Sequence, residues 1–402
     1  MAYEHAFIPY DAYWSTPFCR WQGSFAHLHS MVFAAEVCKG ALAGRGISPA
    51  VFDEIILGMT IPQKSSFYGV SWVAGMIGTA GITGPMISQA CATSARCVAG
   101  ASEEIELGNN ETILVVTCDR TSNGPHIYYP NPMGVGGTGD KEDWVWDNFG
   151  YDPYAKNAMI ETAENVAEEA GISKEEQDEV ALLRSDQYKD ALKDNSAFLN
   201  RFMVVPIDAK DASGRKVLAT VTGDEGVFPT TAGGLARLRP VLENGTVTFG
   251  TQTYPADGNA GIVITTREKA RELSRDRNIE IQILSYAEAR AKRSFMALAI
   301  VPAARKALSS AGLEIKDIKA IKTHTPFAVN DVYFCREMGL KVEDMNNYGC
   351  SLVWGHPQGP TGARLIIELI EELVLLGGGY GLFDGCAAGD TAAAVVLKVD
   401  IK

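Results

Sequence analysis

Three residues in this chain pair a reactive side chain with neighbours that would expose and orient it. Cys91 follows Gln89-Ala90 and opens a run of small residues, Ala92, Ala95, Ala99, Gly100 and Ala101, that reads as a helix. A thiol at a helix N-terminus is expected to have a lowered pKa, because the dipole favours the thiolate. Small neighbours also leave room for a substrate. Taken alone, the same residue fits a buried structural cysteine, since Cys is among the most buried residue types. His356 lies between Gly355 and Pro357, just before Gly359 and Gly362. A turn of that composition fixes its side chain, so the imidazole could activate a thiol or simply cap a helix. Cys386 belongs to Gly385-Cys386-Ala387-Ala388-Gly389, where small residues let a ligand approach backbone amides. A cysteine at a strand end is otherwise structural.

The elements that must position these residues form two similar units. In the first, a short strand from Pro85 to Gln89 leads to Cys91, a helix of small residues and a strand from Thr112 to Cys118. In the second, the Gly355-His356-Pro357 turn leads to a helix from about Thr361, then a strand from Tyr380 to Cys386. The second helix carries Leu365, Ile366, Ile367, Leu369, Ile370, Leu373, Val374, Leu375 and Leu376, and is apolar nearly all round. Such a helix is buried on every side, which requires a layer between two sheets. The expected fold is therefore α/β and five-layered, α/β/α/β/α, from two similar halves.

Elsewhere, helices are expected over 30–43 and near 68–78, strands over 54–59, 259–266, 279–287 and 318–323, and helices over 301–311 and 327–338. Residues 1–25 read as irregular. Residues 121–155, with Pro125, Pro130, Pro132 and Pro153, read as a long loop or lid. Two acidic helices broken at Gly171 follow, and Ser173 with Glu176 fits a capping box. The boundaries implied are one half from 1–120 plus 246–275, an inserted loop domain over 121–245, and a second half over 276–402.

Composition excludes several classes. The 402 residues carry 36 Lys and Arg against 49 Asp and Glu, a formal charge of −13. That excess argues against nucleic acid or an anionic membrane as partner. The eight cysteines are scattered with no C-x-x-C pair, which is neither a disulfide framework nor a zinc ribbon. No window of about 18 apolar residues occurs, so no spanning helix is expected. The start, Met1-Ala2-Tyr3-Glu4-His5, lacks the pattern of a secretory leader, and the expected location is cytoplasmic. Gly134-Val135-Gly136-Gly137-Thr138-Gly139 matches G-x-G-x-x-G but follows Pro-rich loop, not a strand, so no dinucleotide role is read from it. His27 and His29 have no nearby acidic or Cys partner, and no metal site is expected in the chain.

Together these residues resemble the thiolase family over nearly the whole chain. The resemblance is carried by Gln89-Ala90-Cys91 with Ser94, Ser122-Asn123-Gly124-Pro125, Met159 to Asn165, Leu235 to Pro240, Asp257-Gly258 and, most specifically, Gly355 to Arg364. It implies that Cys91 accepts an acyl group, His356 activates it, and Cys386 moves the proton at the substrate α-carbon. It implies that His324, in His324-Thr325-Pro326-Phe327, replaces the family's usual Asn and helps hold a thioester oxygen. It implies backbone donors at Cys91 and Ala388, pantetheine contacts at Thr253, Met296 and Phe327, and a further coenzyme A-binding residue at Met159. Coenzyme A is then a substrate, and Phe228 stands where a basic residue near the adenine is usual. The pairing of His324 with Cys386 is similar to thiolases that work with a small zinc-ribbon/OB-fold partner subunit. Within these, the sequence is similar to the subunit that cleaves benzoylsuccinyl-CoA to benzoyl-CoA and succinyl-CoA in anaerobic toluene breakdown. A homodimer core is expected by analogy. The alternatives are a generic acetoacetyl-CoA or 3-ketoacyl-CoA thiolase, a condensing enzyme on the same fold, and a non-enzymatic lipid-binding scaffold.

Overall fold

The computed structural model describes residues 1–402. Strand Glu54–Gly58 lies parallel to Thr112–Arg120 and to a short edge strand, Met86–Ile87, and Thr112–Arg120 pairs antiparallel with Ala256–Thr265. In the second half, Ile318–His324 lies parallel to Gly379–Ala387, which pairs antiparallel with Thr391–Ile401, followed by Ile279–Arg290. The two halves thus repeat one arrangement: a helix, a strand with a parallel neighbour, then a strand antiparallel to it. In the first half, residues 121–255 intervene between those last two strands.

The halves meet at the N-terminus. Residues read as irregular contain three short strands, Phe7–Ile8, Tyr13–Ser15 and Cys19–Arg20. Phe7 pairs with both Thr265 and Gln282, so Phe7–Ile8 joins the two half-sheets into one 11-stranded sheet. Segments of two or three residues are too short to show period-2 alternation, so the sequence gives no sign of them.

Two helices fill the space between the halves, Thr93–Glu106 and Gly359–Leu375. The second packs on strands of both halves and is buried from Gly359 through Leu373. The strand Thr112–Arg120 shows why its sequence is continuously apolar: Ile113 and Val115 face this central layer, while Leu114, Val116 and Cys118 face an outer core with helix Ser30–Gly44. Four charged side chains are nevertheless buried on the central helix. Arg364 pairs with Asp224 and Glu368, Glu371 accepts from Arg201 and Tyr13, and Glu372 pairs with Lys322. Each has its counter-charge, as burial in low dielectric demands.

The inserted segment has more order than a loop. His126–Tyr129 and Asp140–Asp143 form an antiparallel hairpin, with the Gly134–Gly139 stretch at its tip. Helices Met159–Ala170 and Lys174–Ala191 are separated by Gly171 at positive φ, and Ser173 with Glu176 forms the expected capping box. No helix is long and apolar enough to cross a membrane.

Candidate active site

The turn that carries Cys91 is strained and braced. Ala90 adopts φ 45°, a left-handed conformation unfavourable for a residue with a Cβ. Thr93 holds it, its hydroxyl accepting from Gln89 N at 2.8 Å and donating to Ala90 O at 2.7 Å. Of the eight cysteines, all free, Cys91 alone is partly exposed.

His356 reaches the same point from the other half. Its backbone N–H donates to Tyr254 O at 2.9 Å, and Gly355 before it has φ 90°. A Cβ on Gly355 would lie 2.7 Å from the Tyr254 ring, so only glycine permits this turn. Asp119, at the end of Thr112–Arg120, anchors the far side of the turn. Its buried carboxylate accepts from Gly359 N at 2.8 Å, Thr60 N at 2.8 Å, Thr60 Oγ1 at 2.8 Å and Ile61 N at 2.9 Å. Burial raises its pKa to about 7, and those four donors oppose the rise.

The outcome is a compact set of donor atoms. Cys91 Sγ lies 3.1 Å from His356 Nε2, and His356 Nδ1 lies 2.6 Å from Thr361 Oγ1. With Nδ1–H donating to Thr361, Nε2 presents its lone pair to the thiol. The ring of His324 lies over that of His356, with centroids 4.0 Å apart. Ser351 Oγ accepts from Thr325 N at 3.1 Å and lies 2.8 Å from His324 Nδ1, to which its hydroxyl hydrogen is free to donate. That tautomer places the ring hydrogen on His324 Nε2, which is buried and has no partner. The reactive atoms of Cys91, His324 and His356 all lie within 4.8 Å of one another.

Burial decides the protonation states. The Cys91 thiol is pushed up to about 12, although the backbone N–H groups of Ala388 and Cys91 itself favour the thiolate. This corrects the expectation of a lowered pKa. The helix begins only at Thr93, and its dipole is outweighed by desolvation. Burial lowers His356 to about 3 and holds His324 well below the ordinary histidine range. The resting pair is a neutral thiol beside a neutral imidazole.

Cys386 is buried, and its thiol lies well above the ordinary range through burial and the neighbouring Cys91. Ala388 is exposed with its N–H bearing on Cys91, while Phe327 and Met296 are buried and Met159 is half-buried. Thr253 does not present a free hydroxyl hydrogen: its Oγ1 donates to Ser351 O at 2.5 Å, while its N–H donates to Pro326 O at 2.8 Å. Phe228 is exposed and packs edge-on against Tyr254. His27 and His29 contact different carbonyls, Lys210 O and Lys64 O. Sequence reasoning missed Asp119, Ser351 and Asn330, the last of which donates to Cys386 Sγ at 3.1 Å.

Comparison with known proteins accounts for this arrangement. Residues 12–268 match the family described as "Thiolase, N-terminal domain" and residues 278–399 that described as "Thiolase, C-terminal domain". The chain belongs to the thiolase family. It is 28% identical over 389 residues to the human mitochondrial 3-ketoacyl-CoA thiolase, covering 95% of this chain and 96% of that one. It is 29% identical over 398 residues to a probable acetyl-CoA acyltransferase of Staphylococcus aureus, covering 96% and 98%. The crystal structure of the Bacillus anthracis acetyl-CoA acetyltransferase superposes with a TM-score of 0.88 at 28% identity, covering 99% of each chain. This thiolase is therefore an acyltransferase that cleaves or forms 3-ketoacyl-CoA thioesters.

His324→Ala, which removes the unpartnered Nε2–H, is expected to lower kcat about 10²- to 10³-fold with little change in KM, the ordinary cost of removing one oxyanion donor. Steady-state kinetics on a 3-ketoacyl-CoA would show this, and an effect confined to KM would exclude the role.

Proposed function

We propose that this thiolase works through an acyl group carried on Cys91. The observation that supports it best is the approach of His356 Nε2 to the Cys91 sulfur beside an unpartnered His324 Nε2. His356 takes the thiol proton as sulfur attacks the keto carbon of a 3-ketoacyl-CoA. The bond between the keto carbon and the α-carbon breaks, and its electrons form the enolate of the shorter thioester. His324 Nε2–H donates to that enolate oxygen, while the amides of Cys91 and Ala388 serve the oxygen of the acyl group on sulfur. Cys386 gives its proton to the enolate carbon. The His356 imidazolium then passes its proton to the Cys386 thiolate, and the freed imidazole takes the thiol proton of coenzyme A as that sulfur attacks the acyl group. The departing Cys91 sulfur recovers its proton from His356, which closes the cycle.

In this reading coenzyme A lies against the segment 121–245, with Thr253, Met296 and Phe327 along its pantetheine arm and Met159 as a further contact. Benzoylsuccinyl-CoA is the substrate we assign, on the sequence pattern that combines His324 with Cys386. A homodimer core joined by a small zinc-ribbon/OB-fold subunit belongs to the same assignment. A thioester panel tests it: turnover of benzoylsuccinyl-CoA to benzoyl-CoA and succinyl-CoA is expected to exceed that of acetoacetyl-CoA. Fast acetoacetyl-CoA thiolysis with no aryl turnover would leave the generic thiolase. Native mass spectrometry of the copurified assembly tests the partner.

A further inference from the structure

Asn330 stands in the first turn of helix Ala328–Met338, in the core, and is 1% exposed. Asn is a poor choice there on helix propensity, and buried polar groups are costly unless paired. It does not cap its helix. Its Nδ2 donates to Cys386 Sγ at 3.1 Å, and its Oδ1 has no partner. A buried amide left half-satisfied is tolerated where it does something other than stabilise the fold.

Its effect on Cys386 is specific. An N–H that occupies a sulfur lone pair favours the electron-rich, deprotonated sulfur. It also fixes the sulfur in place and turns the S–H bond away from the amide. The Cys91 thiol and Asp384 also bear on this sulfur, and Asp384 lies two residues earlier on the same strand and hence on the same sheet face. Both its oxygens are buried without partners, and burial holds its carboxyl well above the usual range. Of these groups, the Asn330 amide is the one that makes a hydrogen bond to the Cys386 sulfur.

We propose that Asn330 is a positioning residue for Cys386, holding its sulfur for proton transfer at the substrate α-carbon. The inference rests on the roles given above to Cys91 and Cys386. In the step concerned, the Cys386 S–H bond breaks and a C–H bond forms at the enolate carbon. The proton moves to carbon, and the electron pair stays on a sulfur that the Asn330 N–H then stabilises.

The experiment separates the two half-reactions. Acyl transfer to Cys91 from benzoyl-CoA, with acetyl-CoA in parallel, is read by intact mass and involves no α-carbon chemistry. Deuterium uptake from solvent at the α-carbon of bound succinyl-CoA, with acetyl-CoA in parallel, reports on the Cys386 proton transfer against an unchanged His324. In Asn330→Ala, uptake is expected to fall about 10- to 100-fold, the cost of misplacing a reacting group by a fraction of an ångström to an ångström. Acylation should stay within about threefold of wild type, which also shows that the variant is folded. Asn330→Asp, isosteric but without the N–H, should match the alanine variant, and Asn330→Gln should recover part of the loss. Unchanged uptake in Asn330→Ala, or equal losses in all three variants, would overturn the proposal. Absence of an acyl adduct on wild-type Cys91 would remove the reading beneath it, and the proposal with it.

Discussion

Cys91→Ser is expected to abolish thiolysis, lowering turnover by at least about 10⁴-fold, while leaving the fold intact. Three effects act together. An alcohol is a far weaker acid than a thiol, so the oxygen must be activated by a stronger base. The base available is His356, whose basicity burial lowers, so the poorer acid gains less from its assistance than the thiol does. A C–O bond is also shorter than a C–S bond, so Oγ draws back from an Nε2 placed 3.1 Å from sulfur. The exchange is nearly isosteric at a partly exposed position, so unfolding is not the cause. Circular dichroism should match wild type, and intact mass after incubation with an acyl-CoA should show no adduct. Normal turnover by the serine variant would refute the acyl-Cys91 route.

The same thiol shows where local reasoning stops. Residue types and spacing are enough to mark Cys91, His356 and Cys386, because each sits in a run of small residues at a turn or strand end. They also suffice for the central helix, whose apolar residues cover every face. They do not give the acidity of Cys91, because a helix terminus is a local feature and desolvation is a property of the assembled core. Ser351 and Asn330 escape for a related reason. Ser351 lies 27 residues from His324 and Asn330 lies 56 from Cys386, so only the folded chain shows what each touches. Asp119 is more distant still, 240 residues from the Gly359 amide it anchors. The three short N-terminal strands are invisible because the sheet, not their own sequence, makes them strands.

Arg364 carries this long-range dependence into stability. It lies in the glycine-rich segment after His356, and its side chain is wholly buried. Its guanidinium donates to Asp224 through two bonds of 2.6 and 2.8 Å and to Glu368 at 2.9 Å. It lies 4.9 Å from the Phe18 ring centroid and 4.2 Å from that of Trp354. Asp224 in turn accepts from Phe18 N at 2.8 Å and from Tyr188 OH at 2.8 Å, so one carboxylate ties helix Lys174–Ala191, the N-terminal strands and the central helix together. Arg364→Ala removes the cation and leaves two carboxylates in a low-dielectric core. The expected loss is about 3–5 kcal/mol, the cost of stranding a buried charge rather than the net worth of the pair. Removing Asp224 as well should restore part of it, since one stranded charge goes with it. Denaturant titration of the single and double variants measures both terms. The segment 121–245 is joined to the site through this cluster, so thiolysis in Arg364→Ala should fail at a lower denaturant concentration than the far-ultraviolet helix signal. Coincident loss of activity and helix signal would mean that the cluster stabilises the whole chain and not that junction.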